Sequence, residues 1–191
     1  MKLSKKGEYA LRALIDLGIA REVGRDLVQL TELADNQQLP VKFLEQIMLA
    51  LREAGFVESR RGRFGGHCLA MPAGSIVIGQ VVRALEGPLA PISCVSQSAY
   101  ERCTCPDEDH CGLRMLMMDV RNAIAGILDR YTLANVVEVT LRKLRRDGLP
   151  LPFSDPPPRN GTRLRARPAS HPRARDLTAS IVNNLLEDYT I

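Results

Sequence analysis

Four of the five cysteines in this chain lie close together, at Cys94, Cys103, Cys105 and Cys111. Thiolates are common ligands of zinc and of iron–sulfur clusters, and clustered thiols also take part in redox chemistry. The N-terminal residues lack the apolar run of a secretion signal, so we disfavour a framework of structural disulfides. Residues 94–111, called the cysteine segment below, are therefore predicted to bind a metal centre or to act as redox-active thiols.

A second set of polar residues has the chemistry to contact DNA. Glutamine can bond the edge of adenine, glutamate can accept a hydrogen bond from cytosine, and lysine can meet guanine or a phosphate. Arginine beside glycines in a tight turn suits phosphates or a narrow minor groove. The candidate residues are Lys42, Glu45 and Gln46 in one stretch, and Arg60, Arg61 and Arg63 in the next.

Three helices are expected to position the first of these stretches. Apolar residues between 8 and 20 recur at helical intervals and predict a buried helix. Thr31 is suited to cap a short second helix, and a third is expected from Pro40 to Gly55. The short polar link between the second and third helices is typical of a helix-turn-helix.

A β-hairpin is expected to position the arginines. Residues 56–61 and 67–71 flank a glycine-rich turn and are predicted to form its two short strands. Three helices followed by such a hairpin predict a winged helix-turn-helix, in which the third helix enters the major groove.

Further helices are expected on both sides of the cysteine segment. One is predicted at residues 75–87, and a longer one runs from Leu113 to Tyr131 with apolar residues close to a heptad seam. Such a helix needs a partner, and a second copy of itself is the simplest one. Thr132 is placed to cap a final helix that ends near Gly148. The expected fold class is mainly α with a small β-hairpin wing: a winged helix-turn-helix domain plus a long dimerisation helix.

The totals agree with a globular protein that can bind nucleic acid. The chain has 191 residues, 45% of them hydrophobic, and a net charge of +4. No apolar stretch approaches the roughly 20 residues of a membrane helix, so we expect a cytoplasmic protein without a membrane partner. The expected domains are a winged helix-turn-helix at 1–75, a cluster-binding loop with dimerisation helices at 76–147, a disordered Pro/Arg-rich linker at 148–175 and a short helix at 176–191.

Several short motifs occur together in a recognisable order. They are Lys2-Leu3-Ser4, Tyr9-Ala10-Leu11-Arg12, Phe43-Leu44-Glu45-Gln46-Ile47, Gly55-Phe56-Val57, Arg61-Gly62, Gly65-Gly66, Leu69-Ala70 and Leu85-Glu86-Gly87. Over about residues 1–147 the chain resembles the IscR/NsrR family of bacterial repressors. The resemblance implies a homodimeric winged-helix regulator of double-stranded DNA with a palindromic operator. Many members of that family sense through an iron–sulfur cluster.

The resemblance also implies roles for individual residues. Glu45 and Gln46 stand where the family's recognition helix meets bases, and Arg61 stands where an arginine enters the minor groove. The helix from Leu113 to Tyr131 corresponds to the family's dimer helix. These assignments are expectations carried over from the family.

For the cluster, the resemblance implies Cys94, Cys105 and Cys111 as ligands, with Cys103 as an additional candidate for the second position. The cofactor would be a [2Fe-2S] or a [4Fe-4S] cluster. One family pattern has a histidine where this chain has Arg114. Another recruits an acidic residue from the N-terminal helix of the partner subunit, where Glu8 stands here, and His110 is a local alternative.

The expected function is transcription regulation, as a repressor whose operator affinity depends on a cluster that senses iron, redox state or nitric oxide. The same DNA-binding fold could instead be controlled by zinc or by a reversible disulfide. A small thiol redox enzyme is the remote alternative. It is disfavoured because the sequence has no Cys-x-x-Cys before a βαβ pattern, no phosphate-binding glycine loop and no Ser/His/Asp constellation, so we expect no enzyme.

Overall fold

The structure is a computed structural model that describes residues 3–154, which belong to one compact unit. The described residues contain six α-helices and one two-stranded antiparallel sheet, joined by loops and short 3-10 turns. In chain order they are α1 (Lys5–Glu22), α2 (Leu30–Gln37), α3 (Val41–Glu53), β1 (Val57–Arg60), β2 (Gly66–Leu69), α4 (Ile78–Glu86), α5 (Gly112–Arg130) and α6 (Leu133–Arg146). The predicted C-terminal helix and most of the predicted linker lie outside these residues.

Helix α1 is the central element of the core. Ser4 caps its N-terminus, because the Ser4 hydroxyl accepts a hydrogen bond from the backbone N–H of Gly7 at 3.0 Å. Its buried side chains include Leu14, Leu17 and Ile19, and it packs against α2, α3, α4, α6 and β2. A Cβ on Gly18 would lie 2.5 Å from Val137 of α6, so the glycine permits the close approach of these two helices.

Helices α2 and α3 form the predicted helix-turn-helix. The expected cap at Thr31 is wrong: α2 begins one residue earlier, and Gln29 precedes it without a side-chain cap. The turn closes at Gln38, which adopts a left-handed conformation with φ of 54°. Pro40 then directly precedes α3, where its fixed φ suits the start of a helix.

The predicted wing is present, with shorter strands than expected. Val57 pairs with Leu69 and Arg60 with Gly66, so the turn between the strands spans residues 61–65. Near the turn, strand β2 is held by Val28, which exchanges backbone hydrogen bonds of 2.8 and 3.0 Å with His67. A side chain on Gly66 would meet the Val28 carbonyl oxygen at 2.6 Å, so this strand approaches residue 28 as closely as backbone allows.

Helices α4, α5 and α6 complete the fold. The helix predicted at 75–87 is present as α4, which begins at Ile78, after a short 3-10 turn at Ala73–Ser75. Arg83 of α4 donates two hydrogen bonds, of 2.6 and 2.7 Å, to the Asp129 carboxylate of α5. The expected cap of α6 is confirmed, since Thr132 and Asn135 form a reciprocal capping box.

The mainly α fold with a β-hairpin wing is confirmed, and α5 matches the predicted long helix to within one residue at each end. No residue of α5 is buried, and its exposed apolar side chains include Leu113, Met115, Leu116 and Ile127. None of the helices in residues 3–154 is both long and apolar enough to cross a bilayer.

Candidate nucleic-acid interface and cysteine site

Helix α3 separates its buried face from a polar exposed face. Leu44, Ile47, Met48 and Leu51 are buried, which anchors the helix to the core. The predicted contact residues Lys42, Glu45 and Gln46 are all exposed on the other side. Because the packed face fixes how the helix is rotated, these three side chains are presented to solvent as one set.

The wing presents a cluster of cations. Arg60, Arg61 and Arg63 are exposed within four residues of chain, beside the fully solvent-facing Phe64. Gly62 has φ of 114°, a backbone conformation that residues with a side chain rarely adopt. Its carbonyl accepts a hydrogen bond of 2.9 Å from the Gly65 N–H. The glycines therefore make the tight turn that brings the arginines to the tip.

A groove lies between this wing and the start of α2. Its volume is about 370 Å³, and Gln29, Thr31, Arg60, Arg63 and His67 are among its lining residues. The backbone N–H groups of a helix start carry partial positive charge. Together with the arginines they give this side of the protein the character of a surface for polyanions.

Asp16 is a buried residue that the sequence analysis did not single out. It is 4% exposed, and its carboxylate accepts hydrogen bonds from the side-chain amides of Asn36 at 2.9 Å and Gln37 at 2.5 Å. Burial raises its pKa to about 6, against the lowering effect of these two hydrogen bonds. The carboxylate thus ties the C-terminal turn of α2 to α1 and fixes the first helix of the helix-turn-helix.

The cysteine segment joins α4 to α5 and contains only one short 3-10 turn, at Ser93–Val95. Cys94 in this turn is 5% exposed, whereas Cys103, Cys105 and Cys111 are half-buried. Cys111 directly precedes α5 and occupies its N-cap position. All four predicted cysteine ligands therefore lie in irregular backbone between two ordered helices.

The four thiols are neighbours of one another along the segment. A hydrogen bond from the Cys105 side chain, supported by the backbone of Cys105 and by Cys94, lowers the pKa of Cys103. The same contact with Cys103 raises the pKa of Cys105 to about 11, with a smaller contribution from Cys111. Desolvation raises the pKa of the Cys94 thiol, with further contributions from its neighbour Cys103. Cys103 is therefore the thiol whose deprotonated form is best stabilised by its neighbours.

The donor chemistry of this segment fits an iron–sulfur cluster, since thiolates are the usual ligands of such clusters and the segment carries four cysteines. The contacts run in sequence from Cys94 to Cys103, Cys105 and Cys111. Within residues 3–154, however, no three Cys, His, Asp or Glu side chains surround a common point. The thiols would have to turn toward one centre to ligate a metal.

The structure places the candidate fourth ligands in other interactions. Glu8 lies on the first turn of α1 and pairs with Lys5 at 2.7 Å, a hydrogen bond that lowers the pKa of Glu8. The Nδ1 atom of His110 lies 2.6 Å from the Asp107 carboxylate. Arg114, at the position of the family's histidine, lies 3.2 Å from Glu108. The ligand assignments therefore stay predictions.

Two arginines of α5 hold the buried end of the cysteine segment. Arg114 donates to the carbonyl oxygen of Cys94 at 3.4 Å, and Arg121 donates to the carbonyl oxygen of Val95. The sequence analysis noted Arg114 only as a substituted ligand and did not consider Arg121. The spacing of seven residues, which places both on one helix face, was the available signal.

A third contact that the sequence analysis missed connects α4 to the start of α1. The Glu86 carboxylate accepts hydrogen bonds from the Ser4 hydroxyl at 2.5 Å and from the Ser4 N–H at 3.3 Å. A Cβ on Gly7 would collide with this carboxylate, so the glycine makes room for it. The Leu85-Glu86-Gly87 motif thus links the start of the cysteine-containing loop to the N-terminus of α1.

A helix-turn-helix with a basic wing, carried on a chain with a long and exposed apolar helix, defines the class of winged-helix transcription regulators. A family model supports this assignment: Rrf2, described as an iron-dependent transcriptional regulator, matches residues 3–139. The chain belongs to the Rrf2 family.

Individual relatives agree with this family assignment. An Rrf2-like helix-turn-helix regulator of Rhodobacter capsulatus is 39% identical over 139 residues, covering 71% of this chain and 91% of the relative. The structure of CymR, the global cysteine regulator of Bacillus subtilis, superposes with a TM-score of 0.59 at 31% identity and covers 73% of this chain and 98% of CymR. The structure of T. potens IscR has a TM-score of 0.57 at 31% identity and covers 73% of this chain and 88% of that one.

Proposed function

We propose that this transcription regulator is a homodimeric repressor whose affinity for a palindromic operator depends on an iron–sulfur cluster held by the cysteine segment. The observation that carries the proposal is the set of four adjacent thiols between α4 and α5. A family described as iron-dependent and an IscR relative support the same conclusion.

The DNA contacts are assigned to the two surfaces described above. Glu45 and Gln46 would read base edges in the major groove, and Lys42 would meet guanine or a phosphate. Arg60, Arg61 and Arg63 on the wing would reach phosphates and the minor groove. This division is supported by the buried face of α3, which leaves the three polar side chains exposed together.

The dimer is assigned to α5. Leu113, Met115, Leu116 and Ile127 are each more than half exposed on this helix, an arrangement that is costly for a helix alone in water. Pairing with α5 of a second copy would cover these side chains. Two recognition helices related by a twofold axis would then match two half-sites of a palindrome.

The cluster would be held by Cys94, Cys111 and either Cys103 or Cys105, with Glu8 of the partner subunit as the fourth ligand. When bound, a cluster supplies a centre that iron supply, oxidants or nitric oxide can alter. A carboxylate among its ligands would make it more labile than one with four cysteines. Glu8 is partly exposed at its carboxylate, and among residues 3–154 its ion pairs are with Lys5 and Arg12 of its own helix, partners that it can exchange.

The contacts around the cysteine segment suggest how its state would reach the DNA. Arg114 and Arg121 connect the segment to α5, which carries the dimer contact. Glu86 connects α4, just before the segment, to the N-terminus of α1 in the DNA-binding part. A rearrangement of the segment would change these contacts and thereby the spacing of the two recognition helices. Because the half-sites of an operator are a fixed distance apart, a changed spacing would lower the affinity for DNA.

The cluster is tested by purifying the full chain without oxygen and measuring its visible spectrum, iron and sulfide. We expect broad visible absorption with bound iron and sulfide, lost in Cys94→Ser and Cys111→Ser and retained in the control Cys68→Ser. Comparison of Cys103→Ser with Cys105→Ser identifies the remaining cysteine ligand. A colourless wild-type protein with stoichiometric zinc would contradict the proposal.

The ligand role of Glu8 is tested separately. Glu8→Ala is expected to shift the visible spectrum and to speed the loss of iron in air, because a ligand is missing. Glu138→Ala, which removes an exposed carboxylate from α6, is the matched control. Identical spectra and decay rates for both variants would assign the fourth position to another residue.

A thiol switch without a cluster is the second candidate function. It is favoured by the contact between Cys103 and Cys105, in which Cys103 has a lowered pKa and is the better nucleophile. If peroxide changes the DNA affinity of the metal-free protein, and Cys103→Ser abolishes this response, the result would support this candidate over the cluster.

A further inference from the structure

Phe64 at the tip of the wing is the most exposed large hydrophobic residue among those the structure describes. It is 84% exposed, and the next is Met115 on α5 at 66%. The exposed apolar residues of α5 share one helix, where a second copy would cover them. Phe64 instead lies on a hairpin turn. Among the described residues, its cation–π contact is with the Arg63 guanidinium, 5.7 Å from the ring centre.

The backbone beneath this ring is firmly held. The Gly65 N–H bonds to the Gly62 carbonyl across the turn, and β2 is bonded to Val28 directly before α2. Since the helix-turn-helix begins two residues after Val28, the position of the wing relative to α3 is fixed by backbone contacts. The backbone that carries Phe64 is thus anchored on both sides of the turn.

Charge decides what this ring can meet. Arg60, Arg61 and Arg63 lie within four residues of Phe64 in the sequence, and residues 60–66 contain no acidic side chain. The tip therefore attracts a polyanion and repels a basic protein surface. A surface that is both anionic and able to accept a flat apolar ring is the minor groove of DNA, with phosphates at its edges and sugars and base steps between them.

We propose that Phe64 inserts into the minor groove next to Arg61 and partly unstacks a base step there. This inference rests on the proposed DNA binding and adds a specificity that base-edge contacts do not supply. Pyrimidine–purine steps unstack at the lowest cost. The protein would therefore prefer such a step at the position of the wing, reading the deformability of the duplex instead of its hydrogen-bonding pattern.

The test begins by selecting duplexes from a randomised library with the full-length protein. Binding of the selected duplex is then measured by fluorescence anisotropy at several salt concentrations. Phe64→Ala is expected to weaken binding about tenfold with an unchanged salt dependence, because no phosphate contact is lost. Arg61→Ala is expected to lower the salt slope by about one. Phe64→Tyr should retain most of the affinity.

A base analogue reports the unstacking directly. 2-Aminopurine placed in the step under the wing should brighten when wild-type protein binds and stay dim with Phe64→Ala. Leu149→Ala, which removes an exposed leucine beyond α6, is the control for loss of apolar surface and should behave as wild type. Because Phe64 is exposed, urea unfolding should be the same for wild type and Phe64→Ala.

The possible results separate this inference from the proposed function. If the wild-type protein enriches no duplex, the proposed DNA binding itself fails. If it enriches a duplex to which Phe64→Ala binds as tightly and with the same 2-aminopurine signal, only the role of Phe64 is overturned. If a second selection with Phe64→Ala no longer shows the preference for a pyrimidine–purine step, the proposed role of Phe64 is established.

Discussion

The winged-helix region (residues 5–69, from α1 to β2) and the cysteine segment differ in how they hold their functional residues. In the winged-helix region, Lys42, Glu45 and Gln46 project from a helix whose opposite face is buried. The wing arginines lie at the end of a paired β-hairpin, whose turn is closed by a backbone hydrogen bond from Gly65 to Gly62. In the cysteine segment, the four thiols lie on irregular backbone that is held by arginine side chains from α5. The first region has a preformed surface, and the second has the right donors without a common centre.

This difference agrees with the roles proposed for the two regions. A surface that reads DNA gains affinity when its side chains are already in place before binding. A segment that responds to a metal or to oxidation needs a second arrangement of comparable free energy. Irregular backbone with few anchoring contacts supplies that second arrangement at low cost, whereas a packed helix does not.

The largest expected effect tests the packed region. Leu44→Ala removes a fully buried side chain from the inner face of α3 and should lower the free energy of unfolding by about 2–5 kcal/mol. Leu49→Ala on the same helix, where the side chain is 37% exposed, is the matched control and should cost less than about 1 kcal/mol. Urea unfolding measures both. Equal losses would show that α3 is not held by its buried face.

The second expected effect concerns Asp16, inside the same region. Its folded pKa of about 6 lies above the ordinary value of 3.8, so the folded protein keeps this proton to higher pH than the unfolded chain. The stability that this proton contributes is complete below about pH 4 and is lost as the pH rises through about 6. Over this range the loss amounts to at most about 3 kcal/mol.

Asp16→Asn should abolish that part of the pH dependence, measured as urea unfolding from about pH 4 to about pH 7. The amides of Asn36 and Gln37 can rotate to accept from the new amide, so the variant should still fold. Asp35→Asn, exposed on α2, is the control for loss of one carboxylate. A pH profile of Asp16→Asn identical to that of the wild type would refute the buried carboxylate as the cause.

The third expected effect concerns the contact between the C-terminal end of α4 and the N-cap of α1. Glu86→Gln weakens the bond to the Ser4 hydroxyl and should cost about 1 kcal/mol, because this bond is exposed to solvent. A double-mutant cycle with Ser4→Ala isolates the interaction, because the loss of the α1 cap in Ser4→Ala cancels in the cycle. We expect Glu86→Gln to cost less stability in the Ser4→Ala background than in the wild type. Strictly additive losses would mean that the two residues act independently.

The smallest expected effect on stability concerns the cysteine segment. Arg121→Ala removes a hydrogen bond to the Val95 carbonyl and should cost no more than about 1 kcal/mol of unfolding free energy. The alkylation rate of Cys94, followed by mass spectrometry of metal-free protein, should nevertheless rise because the segment is released from α5. Arg142→Ala, paired with Glu138 on α6, is the control. An unchanged rate would show that Arg121 does not hold the segment.

The sequence predicted the regular elements better than it predicted their connections. The spacing of Leu44, Ile47 and Leu51 identified α3 and its buried face, because helical periodicity is a local property. Thr132 was correctly identified as a cap, but Thr31 was not, since threonine is common at caps without being confined to them. The strands predicted at 56–61 and 67–71 are longer than the paired residues 57–60 and 66–69, because the geometry of the turn decides where pairing ends.

Residue types and local spacing thus determined the class of fold, the two candidate DNA surfaces and the position of the cysteine segment. Tertiary structure alone decided that Glu86 reaches the N-cap of α1, that Asp16 is buried under two amides, and that arginines of α5 bind the carbonyls of Cys94 and Val95. Each of these contacts joins residues 20 or more positions apart. Such contacts depend on how helices pack against one another, whereas periodicity and capping depend on neighbours within a few residues.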